Sequence, residues 1–105
     1  MQTITLNKAA ILDMLNLHRE EILAFGVHKI GLFGSYVRDT QDADSDVDIL
    51  VHFRKDSKNL KNLVGLAEYL EALFHAKVDL VTPESLSSIS GHHILNEVEY
   101  AAISC

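Results

Sequence analysis

Carboxylates are concentrated in the stretch GLFGSYVRDTQDADSDVDILV, residues 31–51. Five aspartates lie within ten residues, and the last two, Asp46 and Asp48, occupy alternate positions at the start of an apolar run. Residues two apart on a β-strand point to the same face, with Cα atoms about 6.5 Å apart. Buried carboxylates are costly unless they are paired or bound to a metal. The spacing therefore predicts a strand with one face in the core and the other binding a cation.

A third acid, Asp79, interrupts a second apolar run, KVDLV at residues 77–81. Two apolar strands that each carry an inward-facing acid indicate a three-carboxylate site more readily than acids that merely cap loops. Mg²⁺ prefers oxygen ligands and keeps waters and substrate phosphates in its shell. Such a site is suited to phosphoryl or nucleotidyl transfer, in which two metal ions contact the attacking and leaving oxygens.

Two other known motifs, a calcium loop and a P-loop, are excluded because the required residues are missing at their positions. A calcium loop that starts at Asp44 needs glycine at its sixth position and glutamate at its twelfth, where this chain has Ile49 and Lys55. The register that starts at Asp42 fails in the same way. A P-loop is excluded because no lysine follows Gly34 at the required spacing. The three earlier aspartates fit a solvated acidic turn.

Gly34 and Ser35 add a candidate phosphate-binding turn between the two strands. A glycine at a strand-to-helix turn lets backbone N–H groups approach phosphate oxygens, and a helix start favours negative charge. Ser35 adds a hydroxyl. A lone Gly-Ser pair carries little information, but here the paired aspartates follow it.

The apolar pattern predicts an α/β (α+β) fold, a small mixed sheet of about three or more strands flanked by helices. Its predicted helices cover about residues 7–25, a short segment after Ser35, about 60–74 and 92–103. The predicted strands are residues 28–33, 46–53 and 76–82. Asn7 is the predicted N-cap of the first helix and Gly26 its stop.

Length and composition limit the remaining possibilities. With 105 residues and a net charge of −6, we expect one domain, residues 1–105, with no direct nucleic-acid binding, because nucleic-acid binders usually carry a basic face. The one cysteine is Cys105, so no disulfide forms within the chain. There is no signal-peptide pattern and no apolar run that could span a membrane, which favours a cytoplasmic location. The His92–His93 pair is expected to be a surface feature and not a metal site.

The motifs together resemble the nucleotidyltransferase fold of the DNA polymerase β superfamily, in which Gly-Ser, about seven to thirteen residues and Asp-x-Asp precede a third acid. Here Gly34-Ser35, ten residues, Asp46-Val47-Asp48 and Asp79 match that order. Within the superfamily the chain is most similar to the minimal nucleotidyltransferases (MNT proteins), which occur with HEPN-family toxins. One difference is Asp39, where many relatives carry glycine.

The resemblance implies ATP as substrate and two Mg²⁺ ions. Asp46, Asp48 and Asp79 would be catalytic and metal-binding, and Asp79 could also accept the acceptor's proton. Gly34, Ser35 and Arg38 would bind the nucleotide. The implied partner is a HEPN-family RNase toxin.

Three functions are consistent with these features. The first is transfer of AMP to a tyrosine or other hydroxyl of the toxin, which makes the protein an enzymatic antitoxin. The second is neutralisation of the toxin by binding alone. The third is nucleotidyl transfer to a small molecule. Intact acids favour the first over the second, and a chain this short, with no room for an acceptor-binding domain, disfavours the third.

Overall fold

The computed structural model describes residues 6–42, 44–86 and 88–103, without the side chains of residues 88–90. Helices and strands alternate along most of the chain. The helices are α1 (Lys8–Leu17), α2 (Arg19–Leu23), α3 (Ser35–Arg38), α4 (Leu60–Phe74) and α5 (Ser88–Glu97). The strands are β1 (Val27–Phe33), β2 (Val47–Phe53), β3 (Val78–Val81) and β4 (Glu99–Tyr100), and a 3-10 turn covers Pro83–Ser85.

The first helical region is interrupted, although the sequence predicts one helix. Asn7 is the N-cap, and its side chain accepts a hydrogen bond of 2.8 Å from the backbone N–H of Ala10. The helix breaks at His18, whose backbone angles leave the helical region (φ −105°, ψ 25°). Gly26 ends the region with a positive φ of 88°, a conformation that glycine adopts without a steric penalty. The predicted cap and stop are therefore confirmed, and the predicted continuity is wrong.

The four strands form a mixed sheet in the order β3-β2-β1-β4. β1 pairs with β2 and with β4 antiparallel, and β2 pairs with β3 parallel. Parallel strands need a crossover connection, and α4 supplies it between β2 and β3. The predicted fold class, a small mixed sheet flanked by helices, is confirmed.

Strand β2 separates its side chains between two environments. Val47, Ile49 and Val51 are fully buried in the main core, with α1 and α4 residues such as Ile11, Leu15, Leu66 and Leu70. Each such side chain contributes about 1.5–3 kcal/mol when buried. Asp48 takes the alternate position and is half-buried on the other face. The core face therefore fixes the strand register that presents Asp48.

The C-terminal prediction of one helix over residues 92–103, with Ile94, Val98 and Ala101 on one face, is wrong. Helix α5 ends at Glu97, and β4 pairs with β1 through Gly31↔Tyr100 and Leu32↔Glu99. The backbone N–H of Ala101 extends the contact by donating to the Ile30 carbonyl over 2.9 Å. Backbone groups along this edge of β1 need hydrogen-bond partners, and β4 provides them.

Two smaller expectations concern the surface. His92 and His93 are exposed, as expected, although they lie within α5 and not at its start. Across the described ranges, no helix has both the length and the apolar character needed to cross a membrane.

Candidate active site

The sheet register places Asp48 next to Asp79. Asp48 on β2 is the direct partner of Asp79 on parallel β3, and on its other side it faces Phe33 of β1. Asp79 itself is exposed, because β3 is an edge strand. The expectation that Asp79 lies on a buried strand is therefore wrong, but the expectation that the two acids lie together is correct.

Asp46 lies immediately before β2, which begins at Val47 and not at Asp46 as predicted. The strand start is fixed by the Val47 backbone N–H, which donates to the Lys77 carbonyl over 2.8 Å. Asp46 is exposed, yet it is close enough to Asp48 to act on its ionisation. The three predicted acids therefore share one electrostatic environment.

The carboxyl group of Asp48 has a raised pKa. Burial, followed by the charges of Asp79 and Asp46, raises its pKa to about 6 from an ordinary value of 3.8. Arg38 acts in the opposite direction, and Glu97 adds a further raising effect. A carboxyl group that is both desolvated and surrounded by like charges favours protonation or a bound cation.

Gly34 is in direct contact with Asp48. Its backbone angles (φ 79°, ψ −151°) are ones that residues with a side chain rarely adopt. An added Cβ would also overlap the Asp48 carboxylate. The Gly34 carbonyl accepts hydrogen bonds from Val37 and Arg38, over 3.1 Å and 3.2 Å, which starts α3 at Ser35. Glycine is thus required here for conformation and for space. Ser35 follows Gly34 directly as the first residue of α3.

Arg38, which the family resemblance implies as a nucleotide-binding residue, forms an ion pair with Glu97. Its NH1 nitrogen lies 2.8 Å and 3.1 Å from the two carboxylate oxygens of Glu97. One of these oxygens also accepts the Gly34 backbone N–H over 2.9 Å. Sequence reasoning missed Glu97 because it was assigned to the middle of a helix. No spacing signal connects it to Gly34, 63 residues earlier.

The presence of Asp39, where many relatives carry glycine, has a structural explanation. Asp39 caps α3 in the left-handed conformation (φ 60°, ψ 37°), which costs most L-residues energy but is free for glycine. Aspartate tolerates this conformation better than most residues. The substitution therefore preserves the turn after Arg38.

The acids are suited to Mg²⁺ in chemistry and charge. Across the described ranges, no three or more His, Cys, Asp or Glu side chains are already arranged around one point as a metal site. Mg²⁺ is commonly bound by one or two carboxylates, with waters and substrate phosphates completing its shell. Asp48 and Asp79 provide such a pair, and the pKa of Asp48 is raised by its burial and then by the neighbouring charges of Asp79 and Asp46.

A surface cavity of about 230 Å³ lies elsewhere, at the opposite end of β2. It is lined by Phe53, Lys58, Asn59, Leu60, Leu63 and Thr82. None of the six predicted site residues contributes to it. Charge and register, and not cavity shape, identify the candidate active site.

Comparisons with known proteins identify the family of this chain. The family model named Nucleotidyltransferase domain matches residues 15–104. The chain belongs to this family, and the nucleotidyltransferase class predicted from the motif is confirmed.

Individual relatives narrow the resemblance to the minimal nucleotidyltransferases. The chain is 46% identical, over 101 residues, to "Protein adenylyltransferase MntA" of Thermococcus cleftensis, covering 95% of this chain and 99% of that protein. It also resembles a solved toxin–antitoxin with AMP-PNP, with a TM-score of 0.68, 29% identity and coverage of 94% of this chain and 75% of that one. A third match is a tri-AMPylated Shewanella oneidensis HEPN toxin in complex with its MNT antitoxin. Its TM-score is 0.56 at 23% identity, with coverage of 85% and 72%, which supports the fold alone.

Proposed function

We propose that this chain is a Mg²⁺-dependent protein adenylyltransferase that transfers AMP from ATP to a tyrosine hydroxyl of a HEPN-family toxin and acts as its antitoxin. The observation that carries the proposal is the pairing of Asp48 with Asp79 beside Gly34. The adenylyltransferase name of the 46% identical relative supports a protein acceptor. The AMP-PNP of a toxin–antitoxin neighbour supports ATP as the nucleotide.

The chemistry is a displacement at the α-phosphorus of ATP. The acceptor oxygen forms a bond to this phosphorus, the bond to the bridging oxygen breaks, and pyrophosphate leaves with the bonding electrons. Gly34 and Ser35 would hold the triphosphate, and Asp46, Asp48 and Asp79 would hold two Mg²⁺ ions. When bound, Mg²⁺ stabilises charge on the attacking and leaving oxygens.

Different exposure suggests different roles for two of the acids. Asp48 is half-buried and packed against Gly34, which suits a carboxylate that holds a fixed position. Asp79 is exposed on an edge strand, where a hydroxyl of another protein can reach it. We assign to Asp79 the additional role of accepting the proton of the acceptor hydroxyl.

The test is AMP transfer to a HEPN-family toxin, the acceptor that the proposal names. Mixing both proteins with ATP and Mg²⁺ should add one or more AMP units to a tyrosine of the toxin, detected by mass spectrometry. The Asp46→Asn/Asp48→Asn variant should transfer none. The matched control, Asp42→Asn/Asp44→Asn, removes two charges from the same segment and should retain wild-type transfer.

Neutralisation by binding alone gives a different result. It predicts inhibition of the toxin without ATP and recovery of toxin activity after the two proteins are separated. A covalent modification persists after separation. If the Asp46→Asn/Asp48→Asn variant protects cells from the toxin as well as the wild type does, neutralisation is not catalytic.

A further inference from the structure

A contact that the proposed function does not explain joins the end of α5 to the candidate active site. Glu97, the last residue of α5, accepts the Gly34 backbone N–H and the Arg38 guanidinium at the same time. Its side chain is only 15% exposed. By contrast, the nearby ion pair between Lys8 and Glu99 is 44% exposed on both sides, which is typical of a surface pair of little energetic value.

The backbone around Glu97 is held in place on both sides. The Val98 N–H donates to the Ile94 carbonyl over 2.9 Å, which completes the last turn of α5. Tyr100 then pairs with Gly31 in the sheet. The carboxylate therefore projects from a fixed position in the fold, which limits the orientations that it can take.

Gly34 is consequently held from two directions. The Asp48 carboxylate lies against its Cα, and the Glu97 carboxylate binds its N–H. Glycine has a wide range of accessible backbone angles, so a loss of the second contact would leave Gly34 free to leave the conformation seen here. Such a change would move Ser35, which follows directly, and release Arg38.

We propose that Glu97 is a positioning residue for nucleotide binding. It holds the Gly34–Ser35 turn and the Arg38 guanidinium in the arrangement that receives the triphosphate. This inference rests on the proposed function, since it takes the same turn as the nucleotide site. The N–H of Gly34 needs an acceptor at a defined distance, and the Arg38 guanidinium needs the second oxygen of the same carboxylate.

Three substitutions separate length from charge. Glu97→Gln retains an oxygen for the Gly34 N–H but places an NH2 donor against Arg38 in place of the second acceptor oxygen. Glu97→Asp retains the charge on a shorter side chain, and Glu97→Ala removes both the charge and the acceptor. Loss of an outer-shell partner that orients a metal ligand typically lowers affinity about 10- to 100-fold, and we expect a loss on this scale here. It should appear for AMP-PNP with Mg²⁺ in the Ala and Asp variants, measured by calorimetry, with a smaller loss in the Gln variant, which keeps the Gly34 contact but not the Arg38 ion pair. Glu99→Ala is the matched control and should bind like the wild type.

Amide hydrogen exchange at Gly34 tests the contact without any catalysis. Exchange should accelerate in Glu97→Ala and Glu97→Asp and stay close to wild type in Glu97→Gln.

If the wild type transfers no AMP to the partner, the proposed function fails, while the exchange and AMP-PNP measurements still test Glu97. The role of Glu97 is overturned if Glu97→Ala binds AMP-PNP as well as or better than the wild type. Tighter binding would mean that Glu97 occupies the anion position and is displaced by phosphate. Unchanged Gly34 exchange in Glu97→Ala, or an Asp variant that matches the wild type, would also overturn it.

Discussion

Replacing Asp48 by asparagine should stabilise the metal-free protein at neutral pH. The pKa of Asp48 is raised to about 6, so the folded state binds its proton more tightly than the unfolded chain does. The difference from 3.8 corresponds to about 3 kcal/mol at 1.36 kcal/mol per pH unit. Because Asp48 is only half-buried, solvent screening reduces the expected cost to about 1 kcal/mol.

The sign of this effect determines its pH dependence. For an acid with a raised pKa, the favourable contribution is present below about pH 4 and is lost as pH rises through about 6. Asp48→Asn removes this loss, so its advantage in free energy of unfolding should grow from near zero at about pH 4 to about 1 kcal/mol above pH 7.

Urea unfolding of both proteins across this pH range, without Mg²⁺, measures the difference directly. Asp56→Asn, which removes an exposed carboxyl just beyond the other end of β2, is the control and should show no comparable trend. A variant that is less stable than the wild type at pH 7.5, or a difference that does not vary with pH, would refute the assignment of repulsion and burial to Asp48.

Four further predictions concern the same region. Addition of Mg²⁺ and AMP-PNP should raise the melting temperature of the wild type, and EDTA should reverse the rise, whereas Asp48→Asn should respond weakly. Gly34→Ala should lower the free energy of unfolding by about 1–3 kcal/mol and abolish transfer, while Gly65→Ala, within α4, should change it by less than about 1 kcal/mol. Asp39→Gly and His75→Gly, which both replace left-handed helix caps, should each raise the free energy of unfolding in urea by up to about 1 kcal/mol, without loss of transfer. Asp79→Asn should retain much of its AMP-PNP affinity in calorimetry but lose about 10²–10⁴ in transfer rate; equal loss of binding would make it primarily a metal ligand.

The site could be predicted from the sequence where its geometry depends on local spacing. The alternation around Asp48 follows directly from the two-residue period of a strand, and Gly34 lies 14 residues before it, directly after β1. Asp79 was recognised because an acid in an apolar strand is unusual. The sequence predicts only that Asp79 shares a site with Asp48, and their direct pairing on neighbouring parallel strands is a finding of the structure.

The parts of the structure that the sequence did not predict depend on contacts between segments that are distant in the chain. Glu97 meets Gly34 only because α5 ends early and the chain turns into β4, and the short strand has too few residues to show an alternating pattern. The break at His18 likewise has no glycine or proline to announce it. In both places local propensity is overridden by tertiary packing.

In strand β2, the residues that stabilise the fold differ from the residues that serve the chemistry. Burial and then the charges of Asp79, Asp46 and Glu97 raise the pKa of Asp48, and Arg38 lowers it. This excess of negative charge is unfavourable until cations arrive, so the free energy that keeps the acids together must come from the apolar face of the same strand. Val47 and Ile49, fully buried on either side of Asp48, provide that support. A substitution such as Asp48→Asn should therefore increase stability and remove activity together, which distinguishes a residue retained for chemistry from one retained for folding.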